Sequence, residues 1–492
     1  MKKTITTAIL SILISFTTSA QFTLDYGEIA KREGMIYSIL GGDEKNIFVT
    51  RYSGGTFYVE KYDAETLKDV FSVDCFKKTK EKKVYNDYLV TYYIGNKTVT
   101  LYTKLSEEKN SIYYKIIDAD GNTGGDMELF TLSNSKLAKC NGCINSFATA
   151  ISADLKHIAI GYSTEGSTQN FIVFNTETMK KEWESSFQLQ EGTTATKFKI
   201  TNEGLISFFN SKIPTETKSI STVSSTNKKP VTASLELKNN EKITSADYLI
   251  HGNSVTVAGF YKNEESGKKG VFSKTIELST MSTKVNEAQL FTDEMIQTLD
   301  DNMKKQGLEP EKLSIKRNYT IDNVQQLNNN IYFVGQDFES VFSTTSNANG
   351  VFSQNVIYFK INMDGKIEWT GVIPFERKVQ GEPNLMRLDV NTDLFAKIPT
   401  FILNNKLVII TGTESIYGFL QPTISSVTVN SISPENVVYS EDIGDEAENR
   451  IYQNAILYDV VGIPALVYAH KNKAYVYHNK KGENKMGRLQ GK

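Results

Sequence analysis

The side chains best suited to chemistry in this sequence are carboxylates that lie outside the predicted strands. Two of them follow one alternating segment and three belong to the acidic run 441–448: Asp337, Glu339, Glu441, Asp442 and Asp445. Such groups can bind a cation, and two carboxyl groups about 5 to 10 Å apart can act as the acid and base of glycoside hydrolysis. A solvated charged loop is the commoner meaning of an acidic run, so we interpret all five as candidate binding residues.

Three cysteines, Cys75, Cys140 and Cys143, are the candidates for thiol chemistry. Cys140 and Cys143 have the two-residue spacing of a redox dithiol, which needs a thiolate activated at a helix N-terminus. The intervening Asn141-Gly142 is instead typical of a turn, and no helical pattern follows. We therefore predict a local structural disulfide between Cys140 and Cys143, with redox activity as the alternative. Cys75 is either a buried thiol or the partner of one of this pair.

The sequence contains no motif that predicts a metal or a cofactor. The segment 118–122 is acidic, but an EF-hand loop needs Gly at its sixth and Glu at its twelfth position, where Thr123 and Leu129 stand. The four histidines have no carboxylate or nucleophile spaced to support them, and we interpret them as ordinary surface or strand residues: His157, His251, His470 and His478. No nucleophile elbow, phosphate loop or dinucleotide turn is present.

The N-terminus predicts export. Residues 1–20 contain Lys2-Lys3, an apolar stretch from Ile5 to Phe16 and small residues ending at Ala20, which is the pattern of a secretory signal peptide. The mature chain, residues 21–492, would then be periplasmic or extracellular, and no later segment is apolar enough to span a bilayer. The formal net charge of −2 offers no basic field for nucleic acid.

A weak internal repeat predicts how these residues are positioned. Residues 62–71 and 174–183 share an Asx, a Thr three residues later and an aromatic residue five further on, each after an alternating strand. Asp-Gly turns at 118–121 and 362–365 supply two similar hairpins, and a second pair of strands precedes each one, most clearly at 152–162. We count eight such units.

These hairpins and the 152–162 segment resemble the broad β-propeller superfamily, including its WD-repeat-like and quinoprotein-like members. The resemblance covers most of the mature chain and implies an all-β fold, a single β-propeller of seven or eight four-stranded blades. Residues 22–29 are expected to supply the missing fourth strand of the last unit and so close the ring. Two separate β-sandwich domains are the alternative, because strand spacing alone suits either fold.

One segment, 292–307, departs from the strand pattern and predicts a helical insertion. Thr292 is a plausible N-cap, and an apolar stripe that includes Met295 and Leu299 is expected to pack on the body of the protein. In our register the helix, the Cys140 segment and the acidic run connect one blade to the next. The long loops join second to third strands: 105–110, 163–169, 262–269 and 337–353. Both kinds of connection share one face of a propeller, where we expect binding residues to concentrate.

These observations predict an exported, non-catalytic and monomeric binding or scaffold protein for an envelope protein or an extracellular polysaccharide. The alternative is a propeller hydrolase or lyase acting on glycan, with Asp337, Glu339 or Asp445 as acid and base.

Overall fold

The described residues form eight sheets, antiparallel apart from one parallel strand pair, so the β-propeller prediction is confirmed and its blade number is eight. The computed structural model describes residues 22–28, 30–81, 84–106, 109–133, 147–164, 167–212, 216–237, 240–305, 318–341, 349–381, 398–411, 413–417, 423–424, 428–442, 467–480 and 483–491. The predicted signal peptide, Cys140, Cys143 and Asp445 lie outside these residues.

The first four blades follow the chain in order, and their strands hydrogen-bond in sequence. Blade 1 contains β3 (Met35–Gly42), β4 (Asn46–Ser53), β5 (Thr56–Asp63) and β6 (Asp69–Lys77). Blade 2 contains β8 (Val84–Ile94), β9 (Lys97–Leu105), β10 (Lys109–Ile117) and β11 (Met127–Ser133), with β7 (Lys80–Glu81) beside β8. Blade 3 contains β12 (Phe147–Ile151), β13 (His157–Thr164), β14 (Thr168–Asn175) and β15 (Lys181–Gln188). Blade 4 contains β16 (Thr193–Ile200), β17 (Ile206–Lys212), β18 (Glu216–Val223) and β19 (Val231–Ser234).

The next three blades continue this order and carry the additions to the fold. Blade 5 contains β20 (Glu241–His251), β21 (Ser254–Asn263), β22 (Lys269–Glu277) and β23 (Thr283–Leu290), and helix α1 (Asp293–Lys305) follows it. Blade 6 contains β24 (Asn318–Leu327), β25 (Asn330–Val341), β26 (Asn349–Asn362) and β27 (Ile367–Gly381), extended by β30 (Thr413–Tyr417) and β31 (Thr423–Ile424). Blade 7 contains β28 (Thr400–Leu403), β29 (Lys406–Thr411), β32 (Thr428–Ile432) and β33 (Val438–Asp442).

Blade 8 joins the two ends of the chain, as the sequence predicts. It contains β34 (Val467–His470), β35 (Lys473–Lys480) and β36 (Glu483–Gly491), with β1 (Phe22–Tyr26) as the fourth strand and β2 (Ala30–Lys31) also paired to β36. The register runs from Phe22 opposite Gly491 to Tyr26 opposite Gly487. Pairing the ends covers what would be an exposed edge and ties the last blade to the first.

The core is divided into eight apolar clusters, each between two neighbouring blades. Period-2 alternation explains this arrangement, because each blade has two faces and must bury both of them against its neighbours. Two β-sandwich domains would instead have two separate cores, so that alternative is wrong.

The first strand of each blade is innermost, and polar side chains on these strands bridge one blade to the next. The donors and acceptors are Tyr92 Oη to Thr149 Oγ1 (2.9 Å), Lys197 Nζ to Ala246 O (3.0 Å), Ile321 N to Ser245 Oγ (3.0 Å), Asn323 Nδ2 to Ile398 O (2.6 Å) and Tyr468 Oη to Gly42 O (2.9 Å). The last four satisfy backbone groups that the blade hydrogen bonds leave open, and the first joins two side chains.

The repeated turn has the capping chemistry that its sequence indicates. Asp63 Oδ1 accepts hydrogen bonds from Thr66 N at 2.7 Å and Thr66 Oγ1 at 2.8 Å. Asn175 and Thr178 repeat this arrangement at 3.0 and 3.2 Å. The residue after each Thr, Leu67 or Met179, then has a positive φ of 58° or 54°. The Asx side chain thus holds a strained turn that contains no glycine.

Helix α1 begins where predicted, because Thr292 Oγ1 accepts a hydrogen bond from Met295 N at 3.2 Å. Met295 and Leu299 are buried in the cluster between blades 5 and 6, so the stripe packs on the protein itself. Gly307, the predicted end, lies outside the described residues. Within the described part of the chain, no helix is both long and apolar enough to cross a membrane.

Candidate functional site on the loop-bearing face

The longest connections between strands fall on one face of the ring, and they lead from one blade to the next. The segments 105–110, 163–169 and 262–269, expected to be long loops, leave only three to five residues between the second strand of a blade and its third, whereas the longer connections 118–126 and 224–230 join third to fourth strands on the opposite face. Helix α1, the segment that contains Cys140 and the segment after β33 each lead from a fourth strand to the next first strand. Strands within a blade are antiparallel, so both kinds of connection leave the same edge. We call this side the loop-bearing face.

The largest elaboration of this face is an extension of blade 6. Strands β25, β26 and β27 are long, with 12, 14 and 15 residues. The register of β25 with β26 shifts between Gln336 and Glu339, and the two strands pair again beyond that shift. Residues 376–380 of β27 then pair in parallel with β30 from blade 7. We call the described residues 339–341, 349–352, 376–381, 413–417 and 423–424 the blade 6 arm.

The arm corrects one expectation. Residues 337–353 are predicted above as a long loop, but pairing continues through Glu339 opposite Phe352 to Val341 opposite Gly350. Segment 342–350 is rich in small and polar residues, which favour a loop. The residues on either side of it, Val341 and Val351-Phe352, are β-branched or aromatic and favour a strand, and β27 provides a partner for β26 there.

Asp337, the first predicted site residue, lies inside the fold at the base of this arm. Its side chain is completely buried, and its carboxylate accepts hydrogen bonds from Asn355 N at 2.9 Å and Asn355 Nδ2 at 3.1 Å. The Asn355 Oδ1 atom accepts in turn from Asn302 Nδ2 of helix α1 at 3.0 Å. Asp337 therefore helps to fix the helix against β25 and β26. Glu339 lies two residues further on, in the arm.

The acidic run begins at the end of β33 in blade 7. Glu441 is half-buried, and its Oε2 atom accepts a hydrogen bond from Phe22 N at 3.3 Å, which links blade 7 to the strand that closes the ring. Asp442 is the last residue of β33 and pairs with Thr428. Across the described ranges, no group of three or more His, Cys, Asp or Glu side chains is arranged to hold a metal ion.

Cys75 is a buried free thiol, and its Sγ atom donates to Phe57 O at 3.3 Å. Burial raises the pKa of this thiol to about 12, which makes Cys75 unreactive at neutral pH. The first alternative for Cys75 is thus confirmed, and the Cys140–Cys143 disulfide stays a prediction.

A buried ion cluster holds the segment that leads from the closing strand to blade 1. Glu60 accepts hydrogen bonds from Arg51 Nε at 2.6 Å, Arg32 Nη1 at 3.0 Å, Ser72 Oγ at 3.0 Å and Tyr62 Oη at 2.9 Å. Burial by itself would raise the pKa of Glu60, but the two guanidinium groups lower it below its ordinary value. With a further bond from Arg51 Nη1 to Glu33 O, the cluster ties Arg32 and Glu33 to blade 1.

The sequence reasoning missed Lys269, which opens β22 at the loop-bearing edge. The residue is only 8% exposed, and its Nζ lies 5.2 Å from the ring centre of Tyr319 in blade 6. Phe291 N donates to Lys269 O at 3.0 Å and fixes the backbone. Burial, followed by repulsion from Lys262, lowers the pKa of Lys269 to about 8. The sequence around Lys269 is polar and gives no sign of burial, because Tyr319 of another blade packs against this lysine.

No protein-family model matches the chain, and no curated protein is similar to it in sequence. Among solved structures, it is similar to the Dos1 propeller at 9% identity over 95% of each chain, with a TM-score of 0.44. The propeller domain of the Trilobed protease from Pyrococcus furiosus is 9% identical over 85% of this chain and all of that domain, with a TM-score of 0.34. A prolyl endopeptidase is 8% identical over 77% of this chain, which spans 55% of the endopeptidase, with a TM-score of 0.35. The first two of these neighbours are propeller domains.

Proposed function

We propose that this chain is an exported β-propeller that binds an envelope protein or an extracellular polymer through its loop-bearing face, without catalysing a reaction. The observation that carries the proposal is that the longest connections, which lead from one blade to the next, and the blade 6 arm lie on the same face of a closed ring. A rigid scaffold with variable loops on one side is the usual arrangement of a binding protein.

Export is the second part of the proposal, and it rests on the pattern of residues 1–20. Cleavage after Ala20 would leave Gln21 directly before β1, so the mature chain would begin at the strand that closes the ring. N-terminal sequencing of protein from the native host tests this directly. A mature chain that starts at Met1 would contradict export.

The binding proposal is tested by recovering tagged mature protein from its native host after gentle crosslinking, followed by mass spectrometry. In the test variant, residues 340–351 are replaced by Asn-Gly, which can close a hairpin between Glu339 and Phe352. In the matched control, the turn 224–230 on the opposite face is shortened in the same way. We expect a stoichiometric partner that the arm variant loses and the control retains.

The same preparation separates the proposal from its alternatives. Turnover in a glycan hydrolase and lyase screen would contradict a non-catalytic role and direct attention to Glu339 and Asp445. Equal partner recovery by both variants would remove the arm from the binding surface. Light scattering of the purified protein tests the expected monomer.

A further inference from the structure

The buried basic side chains differ in whether an oxygen atom of the chain accepts a hydrogen bond from them. Among the described residues they are Arg51, Lys269, Lys274, Lys360 and Arg488. Four of them form a hydrogen bond or an ion pair with a carboxylate or carbonyl oxygen of the chain: Arg51, Lys274, Lys360 and Arg488. Lys269 has no such acceptor in the described part of the chain. The side chain of Lys269 is buried, but its Nζ is not among the fully buried unpaired atoms of the described residues, so the ammonium group keeps some contact with solvent. A mostly buried ammonium group without a counter-charge lowers the stability of the fold.

Lys199, in another blade of the propeller, has the carboxylate partner that Lys269 lacks among the described residues. Lys199 of blade 4 lies 4.5 Å from the ring centre of Tyr248, on the first strand of the next blade. Its Nζ also donates to Asp247 Oδ1 at 3.0 Å. Lys269 has the equivalent aromatic contact with Tyr319, again on the first strand of the next blade, but lacks the carboxylate. Lys360 also has both kinds of partner, Trp369 and Glu368, but on the neighbouring strand of its own blade.

We infer that Lys269 and Lys262 form a subsite for a carboxylate group of a ligand that approaches the loop-bearing face. The inference goes beyond the proposed function, since such a site can bind a free organic acid as well as an acid group carried by a sugar. Lys262 is the register partner of Lys269 on β21 and is exposed. Residues opposite each other on neighbouring strands lie on the same face of a sheet, and each ammonium group can donate up to three hydrogen bonds to an anion.

The electrostatics of the neighbourhood support this inference. Lys262 faces Lys269 from β21 and Tyr319 faces it from β24, and no described carboxylate counteracts the depression of the Lys269 pKa. Asp337 pairs in register with Tyr319, but its carboxylate is hydrogen-bonded to Asn355. A bound carboxylate would supply the opposite charge that the site lacks and would stabilise the protonated amine.

The test measures saturable stabilisation by sodium acetate, D-glucuronate and oligogalacturonate, each against sodium chloride at matched ionic strength. Thermal unfolding of the mature protein reports binding, because a ligand that binds the folded state raises Tm. The variants are K269M, which keeps the length and removes the charge, and K262M. The control is K268M, which removes the adjacent exposed lysine.

We expect carboxylates to stabilise the wild-type protein and K268M with similar Kd values. The Kd should rise at least tenfold in K269M and to a smaller extent in K262M. Acetate that binds as well as the oligomer indicates a free acid, and tighter binding of the oligomer indicates a sugar-borne group. Equal Kd values for K269M and the wild-type protein, or no stabilisation beyond that of chloride, would overturn the inference.

Discussion

Replacing Lys269 with methionine should make the protein more stable at neutral pH. The pKa of Lys269 is lowered from an ordinary value of 10.5 to about 8 in the folded state, so folding at pH 7 buries a charge that the unfolded chain keeps in water. A shift of this size corresponds to about 3 kcal/mol at pH 7. Loss of the contact with Tyr319 offsets about 1 kcal/mol, so K269M should gain roughly 2 kcal/mol.

The pH dependence separates this effect from a change in packing. Between pH 8 and pH 10.5 the unfolded state binds more protons at this position than the folded state, so the wild-type protein gains stability as pH rises. About 2 kcal/mol of the difference between K269M and the wild-type protein should therefore disappear between pH 7 and pH 9.5. Packing of the methionine side chain does not depend on pH, so it cancels from this comparison.

Urea unfolding followed by the fluorescence of Trp183 and Trp369 at both pH values measures the difference. K268M is the control, because this exposed lysine should change the free energy of unfolding by no more than about 0.5 kcal/mol at either pH. K269R keeps a permanent charge and should lose the pH-dependent gain. A K269M protein that is less stable at pH 7, or a difference that is constant with pH, would refute the reasoning.

Three further predictions follow from the contacts described above. E60Q leaves the buried guanidinium group of Arg51 without a counter-ion, whereas Arg32 keeps Asp69, and should lower the free energy of unfolding by about 3–5 kcal/mol. The pKa of Glu60 is lowered in the folded state, so its carboxylate stabilises the fold above its ordinary pKa and loses this effect as pH falls further. The difference in unfolding free energy between E60Q and the wild-type protein should therefore shrink from pH 7 to pH 3, which urea unfolding measures. Deletion of residues 22–26 exposes the edge of β36 and should make blade 8 sensitive to limited proteolysis, whereas equal protection would argue against closure by β1. D337N places an amide donor against the donors of Asn355 and should cost about 1–3 kcal/mol in urea unfolding, and an unchanged midpoint would show that this contact is unimportant.

Local chemistry accounts for the parts of the fold that the sequence reveals. The Asx turns at Asp63 and Asn175 depend on residues three positions apart, and the Thr292 cap depends on its own helix. Strand alternation likewise depends on neighbours two residues away. These features can be recognised in a single sequence. They also predict the strand order within a blade, and so the face on which each connection emerges.

The parts that the sequence does not reveal depend on contacts between blades. The choice between seven and eight blades depends on Phe22 pairing with Gly491, at the other end of the chain. The burial of Asp337 depends on Asn355 and on helix α1, so a carboxylate that looks like part of a loop is a buried structural group. Lys269 is covered by residues of blade 6, which no local pattern near β22 indicates.

The comparison between Lys199 and Lys269 gives the strongest reason to look for function between blades 5 and 6. Both lysines contact an aromatic ring on the next blade, so the fold tolerates a cation at either place. At Lys199 the chain itself supplies the carboxylate, Asp247, so the stability of the propeller is enough to explain that arrangement. The second site has no such carboxylate among the described residues, and a Lys269 variant that improves stability while losing carboxylate binding would identify Lys269 as a ligand-binding residue.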